Sequence, residues 1–306
     1  MSRAFVKVRH VSTLALCIQL VLTHAPVVRA QEPAAQAVFP APGRGPIPVD
    51  PRVQVREYLF TGTNEQIPYA VFVSSRVRRD TKAPLVIALH GLGGTHTSLL
   101  RGNALDLAEE GGYILVGPMG YNPRGWYGVP PTGRGGRGRR VPQANPATGR
   151  EGPPPGAFVN ANDPPNLREL SEKDVLNVLE LVRQEFYVDE RRTYLMGHSM
   201  GGAGTFHLAV KYPGNWAATA SIAPAAFGMQ PTSLSVIPNM PMMIVHGDAD
   251  TAVPVDVGRS WAAAMKELQM THQYLEVPGG DHGNVISIGM PDIFAFFAKH
   301  SKSALR

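Results

Sequence analysis

Hydrophobic and polar positions alternate in two early blocks, residues 53–60 and 67–73, both rich in β-branched and aromatic side chains. Period-two alternation predicts two strands, joined by the turn "TGTNEQ". The pattern then changes. "PLVIAL" (84–89) is continuously apolar, as expected of a strand covered on both faces of a parallel sheet. Residues 98–110 place Leu99, Leu100, Leu105 and Leu107 at helical spacing, and "YILVGP" follows as a second buried strand. Beyond residue 165 the alternation continues. A helix is predicted over 167–186, with Leu176, Leu179, Val182 and Phe186 on its apolar side. Then come the strand "TYLMG", a helix over 200–212 stopped by Pro213-Gly214, and the strands "WAATASIAP" and "MPMMIVHG". A helix over 256–268, the strand "HQYLEV" and a last helix from 284 or 285 to 299 complete the series. Strands alternating with helices from residue 84 onward predict one α/β domain over 52–302. It has a doubly wound, mostly parallel sheet with helices on both faces.

Two stretches fall outside this pattern. The N-terminus carries Arg3, Lys7, Arg9 and His10 ahead of the apolar run 11–22, which is too short for a comfortable bilayer span. Val28-Arg29-Ala30 follows as a small-residue cleavage site, so residues 1–30 read as an export signal cut before Gln31, with a periplasmic or secreted destination. Residues 31–51, rich in Pro and Ala, read as a flexible linker. The single cysteine, Cys17, lies in the leader after Leu16, a poor context for a lipid anchor, and the mature chain is expected to form no disulfide. The second stretch is a Gly/Pro/Arg-rich insertion near 122–165. Its centre carries Arg134, Arg137, Arg139, Arg140 and Arg150 with no aromatic among them, so a solvated insertion is preferred to a nucleic-acid segment. Charge points the same way. Removing Arg3, Lys7, Arg9 and Arg29 with the leader takes the formal charge from +5 to +1. Neither nucleic acid nor, after leader removal, a membrane is an expected partner.

The candidate chemistry begins at Gly197-His198-Ser199-Met200-Gly201. A strand precedes this G-x-S-x-G and a helix follows, the setting a nucleophile elbow requires. A serine hydroxyl is a weak nucleophile without a base. In a sheet of this topology an acid and then a histidine should follow in the chain. "IVHGDADTAVP" offers Asp250 and Asp248 just past a buried strand. Asp250 is preferred for its deeper place in the loop, and Asp248 has an alternative role in binding turn amides. Asp256 reads as a helix cap. "VPGGDHGNV" puts His282 in a glycine-rich loop, where its ring can reach between the acid and Ser199. His90, His246, His207 and His272 have structural readings. The glycine-rich "ALHGLGGTHTS" supplies backbone amides for an oxyanion hole, with Leu92 N–H and Met200 N–H the preferred donors. Phosphate binding by these glycines is disfavoured, because no Walker lysine follows. Tyr121, Trp126 and Tyr127 cluster after a strand end and are candidates to line a substrate pocket, with His198 beside the nucleophile shaping it. No metal-ligand spacing is present in the sequence, and no cofactor is expected.

"LHGLGG", "GHSMGG", "HGDADTAVP" and "GGDHG", in that order, resemble the α/β-hydrolase superfamily over residue 53 to about residue 300. "GYNPRGWYG" and the run "EKDVLNVLELVRQEFYVDERRTYLMGHSMGG" are similar to exported bacterial esterases of the feruloyl-esterase, polyhydroxybutyrate-depolymerase-like and dienelactone-hydrolase-like groups. Those groups lie near the catalytic domain of prolyl oligopeptidases. The resemblance implies Ser199 as nucleophile, Asp250 as acid and His282 as base, with the amides of Leu92 and Met200 as oxyanion donors. It implies hydrolysis of small or polymeric carboxylic esters. Polyester cleavage is not favoured, since cutinase-like enzymes have Trp or Tyr where this chain has His198. A peptidase of the prolyl-oligopeptidase type and a silent binding protein on the same scaffold are the alternatives.

Overall fold

The computed structural model describes residues 48–130 and 160–303. The expected signal peptide, nearly all of the linker and the arginine-rich centre of the insertion lie outside the described residues.

Eight strands form one sheet: β1 (Gln54–Phe60), β2 (Glu65–Val73), β3 (Ala83–Leu89), β4 (Ile114–Pro118), β5 (Val188–His198), β6 (Ala218–Ile222), β7 (Met242–Gly247) and β8 (His272–Val277). Their order is β1-β2-β4-β3-β5-β6-β7-β8. The β1 and β2 strands form an antiparallel pair, and β2 runs antiparallel to β4; every pairing from β4 to β8 is parallel. This is the expected doubly wound sheet with an antiparallel margin.

The continuous apolar runs have a direct cause. Along β3, Leu85, Ile87 and Leu89 face one core, and Val86 and Ala88 face the other. The first core takes in α2 (Leu167–Glu185), α3 (Met200–Lys211) and α4 (Val255–Glu267); the second takes in α1 (Asn103–Gly111) and α5 (Val285–Lys299). A strand between two apolar layers has no polar side to show.

The helix expected from residue 98 begins later, at Asn103, because Gly102 takes a left-handed conformation (φ 56°) that interrupts the turn. Ser98 instead accepts the Thr95 amide at 2.9 Å within an irregular loop. The β5 strand is longer than "TYLMG", extending back through Asp189 to Val188. The buried side of α2 is rotated from the expected stripe: Val175, Val178, Leu179 and Val182 are buried, and the polar Ser171 and Asp174 continue that side. Asp256 is not a cap. It lies inside the first turn of α4, after Pro254 at the N-cap, and pairs with Arg259 at 2.9 Å. Arg124 grips Asp163 through two hydrogen bonds (2.7 and 2.9 Å), which ties together the described margins of the insertion.

Candidate active site

Ser199, Asp250, His282 and the 90–94 loop all follow the carboxyl ends of parallel strands, the side of an open α/β sheet where ligand sites form. Ser199 sits between β5 and α3 with φ 56° and ψ −113°. A non-glycine residue in such a conformation costs about 1–3 kcal/mol, and the surroundings must hold it. Here the Ser199 amide donates to Ile222 O at 2.9 Å, and Ser199 O accepts from Ala203 N (3.1 Å) and Ala225 N (2.9 Å). The flanking glycines are required by close approach. A Cβ on Gly197 would lie 2.2 Å from Gly201 O, and one on Gly201 would lie 2.2 Å from Leu89 O.

The three expected side chains meet. His282 Nε2 lies 3.0 Å from Ser199 Oγ, and His282 Nδ1 lies 2.7 Å from Asp250 Oδ2. The other carboxylate oxygen of Asp250 accepts the amides of Ala252 (2.8 Å) and Val253 (2.9 Å). Burial alone would raise the pKa of Asp250; the His246 ring 3.5 Å away and hydrogen bonds from His282 and the Val253 amide outweigh it and hold the group well below the usual carboxylate range. Asp250 is therefore an anion that orients the His282 ring with Nδ1–H toward it, leaving Nε2 to face Ser199. Asp248 is exposed, and its Oδ1 accepts the Gly279 amide at 2.6 Å, which is a turn role. Asp281 accepts the amides of Gly283 (2.8 Å) and Asn284 (2.7 Å), which fixes the loop that presents His282.

Gly91 packs against the elbow: a Cβ there would lie 3.3 Å from Ser199 Cβ. Leu92 is the next residue along. Met200 opens α3, where an amide has no partner within its own helix. Among the described residues, neither the Leu92 nor the Met200 amide has an acceptor.

His198 is more a brace than a pocket wall. Its Nε2–H donates to the carbonyl of His282 at 2.8 Å, and the two rings lie 4.6 Å apart. Burial, then the neighbouring His282, pull its pKa down to about 4, so the ring is neutral.

The expected aromatic pocket is corrected at Tyr121 and Tyr127. Tyr127 is fully buried in the core and its hydroxyl donates to His90 O at 3.2 Å. Tyr121 is buried edge-on to Phe60 (5.3 Å), and its hydroxyl donates to Glu65. Both have positive φ, as has Trp126. Trp126 is half-buried under the Arg168 guanidinium. An open groove of about 570 Å³ is lined by Ser98, Leu99, Arg101, Gly283, Ile286 and Met290 among others.

Sheet order, elbow and the strand-end side chains together define the class: the chain has the α/β-hydrolase fold. Within it, residues 168–240 match the family described as serine aminopeptidase, S33, and residues 226–304 match the prolyl oligopeptidase family. Feruloyl esterase B of Neurospora crassa is 28% identical over 166 residues, covering 52% of this chain and 46% of that protein. This chain thus matches a little under half the length of that relative. Among solved structures, a CE1 ferulic acid esterase from Anaeromyces mucronatus is similar, with a TM-score of 0.59 and 19% identity over 81% of this chain and 90% of that one. An S-formylglutathione hydrolase from Agrobacterium tumefaciens has a TM-score of 0.58 and 20% identity, over 82% and 95% respectively.

Proposed function

We propose that the protein is a serine esterase that works through a covalent acyl-enzyme. The observation that carries this reading is the run of contacts from Asp250 through His282 to Ser199, at 2.7 and 3.0 Å. Ser199 Oγ attacks the ester carbonyl as His282 Nε2 takes its proton. The amides of Leu92 and Met200 donate to the oxyanion of the tetrahedral intermediate. His282 then gives the proton to the departing alcohol. Water, losing its proton to the same nitrogen, attacks the acyl group, and its collapse releases the acid and restores Ser199. The ferulic acid esterases among the similar proteins make hydroxycinnamoyl esters the first substrates to try.

The family matches, both named for peptidases, favour one second reading: hydrolysis of a prolyl amide. A panel of p-nitrophenyl acyl esters, methyl ferulate and a dipeptide-prolyl amide separates the two. Ester turnover is expected with no amide cleavage, and Ser199→Ala is expected to abolish both turnover and fluorophosphonate labelling. Labelling that persisted in that variant would reject Ser199 as nucleophile. The leader read in residues 1–30 extends the proposal to an exported enzyme. Protein recovered from the periplasm or medium of a bacterial host is expected to begin at Gln31 on N-terminal sequencing, and an uncleaved cytoplasmic product would rule that out.

A further inference from the structure

One side of α2 buries polar groups that the triad does not use. Asp174 is wholly buried, and its two oxygens are both occupied. Oδ2 accepts the amides of Gly120 (2.7 Å) and Tyr121 (3.1 Å), and Oδ1 accepts the Tyr58 hydroxyl from β1 (2.6 Å). One turn earlier, Ser171 Oγ accepts the Tyr127 amide at 3.0 Å. The segment held this way, 119–128, follows β4. It carries positive φ at Gly120, Tyr121, Trp126, Tyr127 and Gly128, a conformation that does not persist without external partners.

That segment in turn holds the loop of the proposed oxyanion donor. Pro123 O accepts the Gly93 amide at 2.9 Å, Met119 O lies 2.8 Å from His90 Nε2, and the Tyr127 hydroxyl donates to His90 O at 3.2 Å. These contacts fall on either side of Leu92. We propose that Asp174 is a positioning residue: through the 119–128 segment its carboxylate fixes where the Leu92 amide points. An oxyanion donor gains its advantage from being oriented before charge develops, so a small displacement there weakens the transition state and leaves substrate binding alone. Ser171 supports the same segment from its other end. Glu172, between them, accepts from Lys211 and Tyr212 (2.6 Å each), with His207 Nε2 2.7 Å away, and packs against Gly128 at the end of the same segment.

The inference rests on the esterase reading, and the test separates the two. Full-length wild type, Asp174→Asn, Ser171→Ala and Tyr58→Phe are assayed for kcat and KM on a p-nitrophenyl ester. The inhibition constant of an aryl trifluoromethyl ketone, whose serine adduct carries an oxyanion, is measured on each. Asp174→Asn is expected to lower kcat by about 10–100-fold with KM within about twofold, and to raise the ketone inhibition constant by a similar factor. Ser171→Ala and Tyr58→Phe are expected to move kcat and the inhibition constant together in the same direction, by smaller factors. They carry the test if Asp174→Asn does not fold. A wild type without ester turnover defeats the esterase reading itself. An active wild type whose variants leave the inhibition constant unchanged, or lose activity through KM, overturns the role given to Asp174.

Discussion

At the scale of single residues, the meeting of Ser199, Asp250 and His282 could be read from the chain because each depends on local context. Glycines two positions either side of Ser199 report a close approach, and loops after apolar runs report strand ends. His198 was less legible. Its partner is the carbonyl of His282, 84 residues away, and nothing near "GHSMGG" announces that contact. The burial of Tyr121 and Tyr127 was hidden for a similar reason: their partners, Phe60 and the carbonyl of His90, lie far away in the chain. The His198 contact carries a prediction. Its Nε2–H holds the main chain of the proposed catalytic base, and misplacement by about 1 Å can cost up to ~100-fold in rate. His198→Ala is therefore expected to reduce kcat on a p-nitrophenyl ester by about tenfold, with His198→Gln, which keeps a donor, recovering part of the loss. Equal activity of all three proteins would show that the 2.8 Å contact has no part in turnover.

At the scale of elements, helices and strands were legible where apolar positions repeat, and their buried faces were misjudged where polar groups are buried. The α2 helix is the clearest instance, because Ser171 and Asp174 occupy positions where the pattern calls for hydrophobic side chains. Their partners are backbone amides from 119–128, which no sequence pattern reveals. Burial raises the Asp174 carboxyl to about 6, against the lowering effect of hydrogen bonds from Tyr58 and the Tyr121 and Gly120 amides. Tyr58 on β1 and those amides are the groups that hydrogen-bond to it. The folded state then binds this proton more tightly than the unfolded chain, whose carboxyl titrates near the ordinary 3.8. Between these values, stability from this group falls as pH rises, and it levels off above about 6. The change is on the order of 2–3 kcal/mol across the window. Urea unfolding of wild type and Asp174→Asn from pH 4 to 7 checks this. The wild type minus variant difference is expected to decline over pH 4–6 and then stay flat, and a difference that rises over that window would contradict the assignment.

For the whole molecule, alternating strands and helices pointed to a doubly wound sheet. The exchange of β3 and β4 in the order, and the antiparallel margin, depend on crossovers that periodicity does not encode. What the assembled sheet adds is a division of labour between its two faces. On one, Phe206 of α3 stacks on Trp261 of α4 at 3.8 Å, joining the helix that follows Ser199 to the helix that follows the Asp250 loop. On the other, Phe297 of α5 stacks on Tyr194 of β5 at 4.6 Å, some three turns of helix beyond the His282 loop. Truncating a buried aromatic ring typically costs about 3–5 kcal/mol, so Trp261→Ala and Phe297→Ala should each lower Tm by roughly 6–20 °C. Their effects on turnover should differ. Trp261→Ala loosens the contact between the elements that hold Ser199 and Asp250, and a lower kcat is expected at 25 °C. Phe297→Ala removes a contact with β5 upstream of Ser199 and several turns of helix from the His282 loop, and kcat per folded molecule is expected to stay within about twofold of wild type. Active-site titration with a fluorophosphonate supplies the folded, competent fraction for each variant. If Phe297→Ala lost as much kcat per titrated site as Trp261→Ala, the two layers would be coupled through the sheet rather than separable across it.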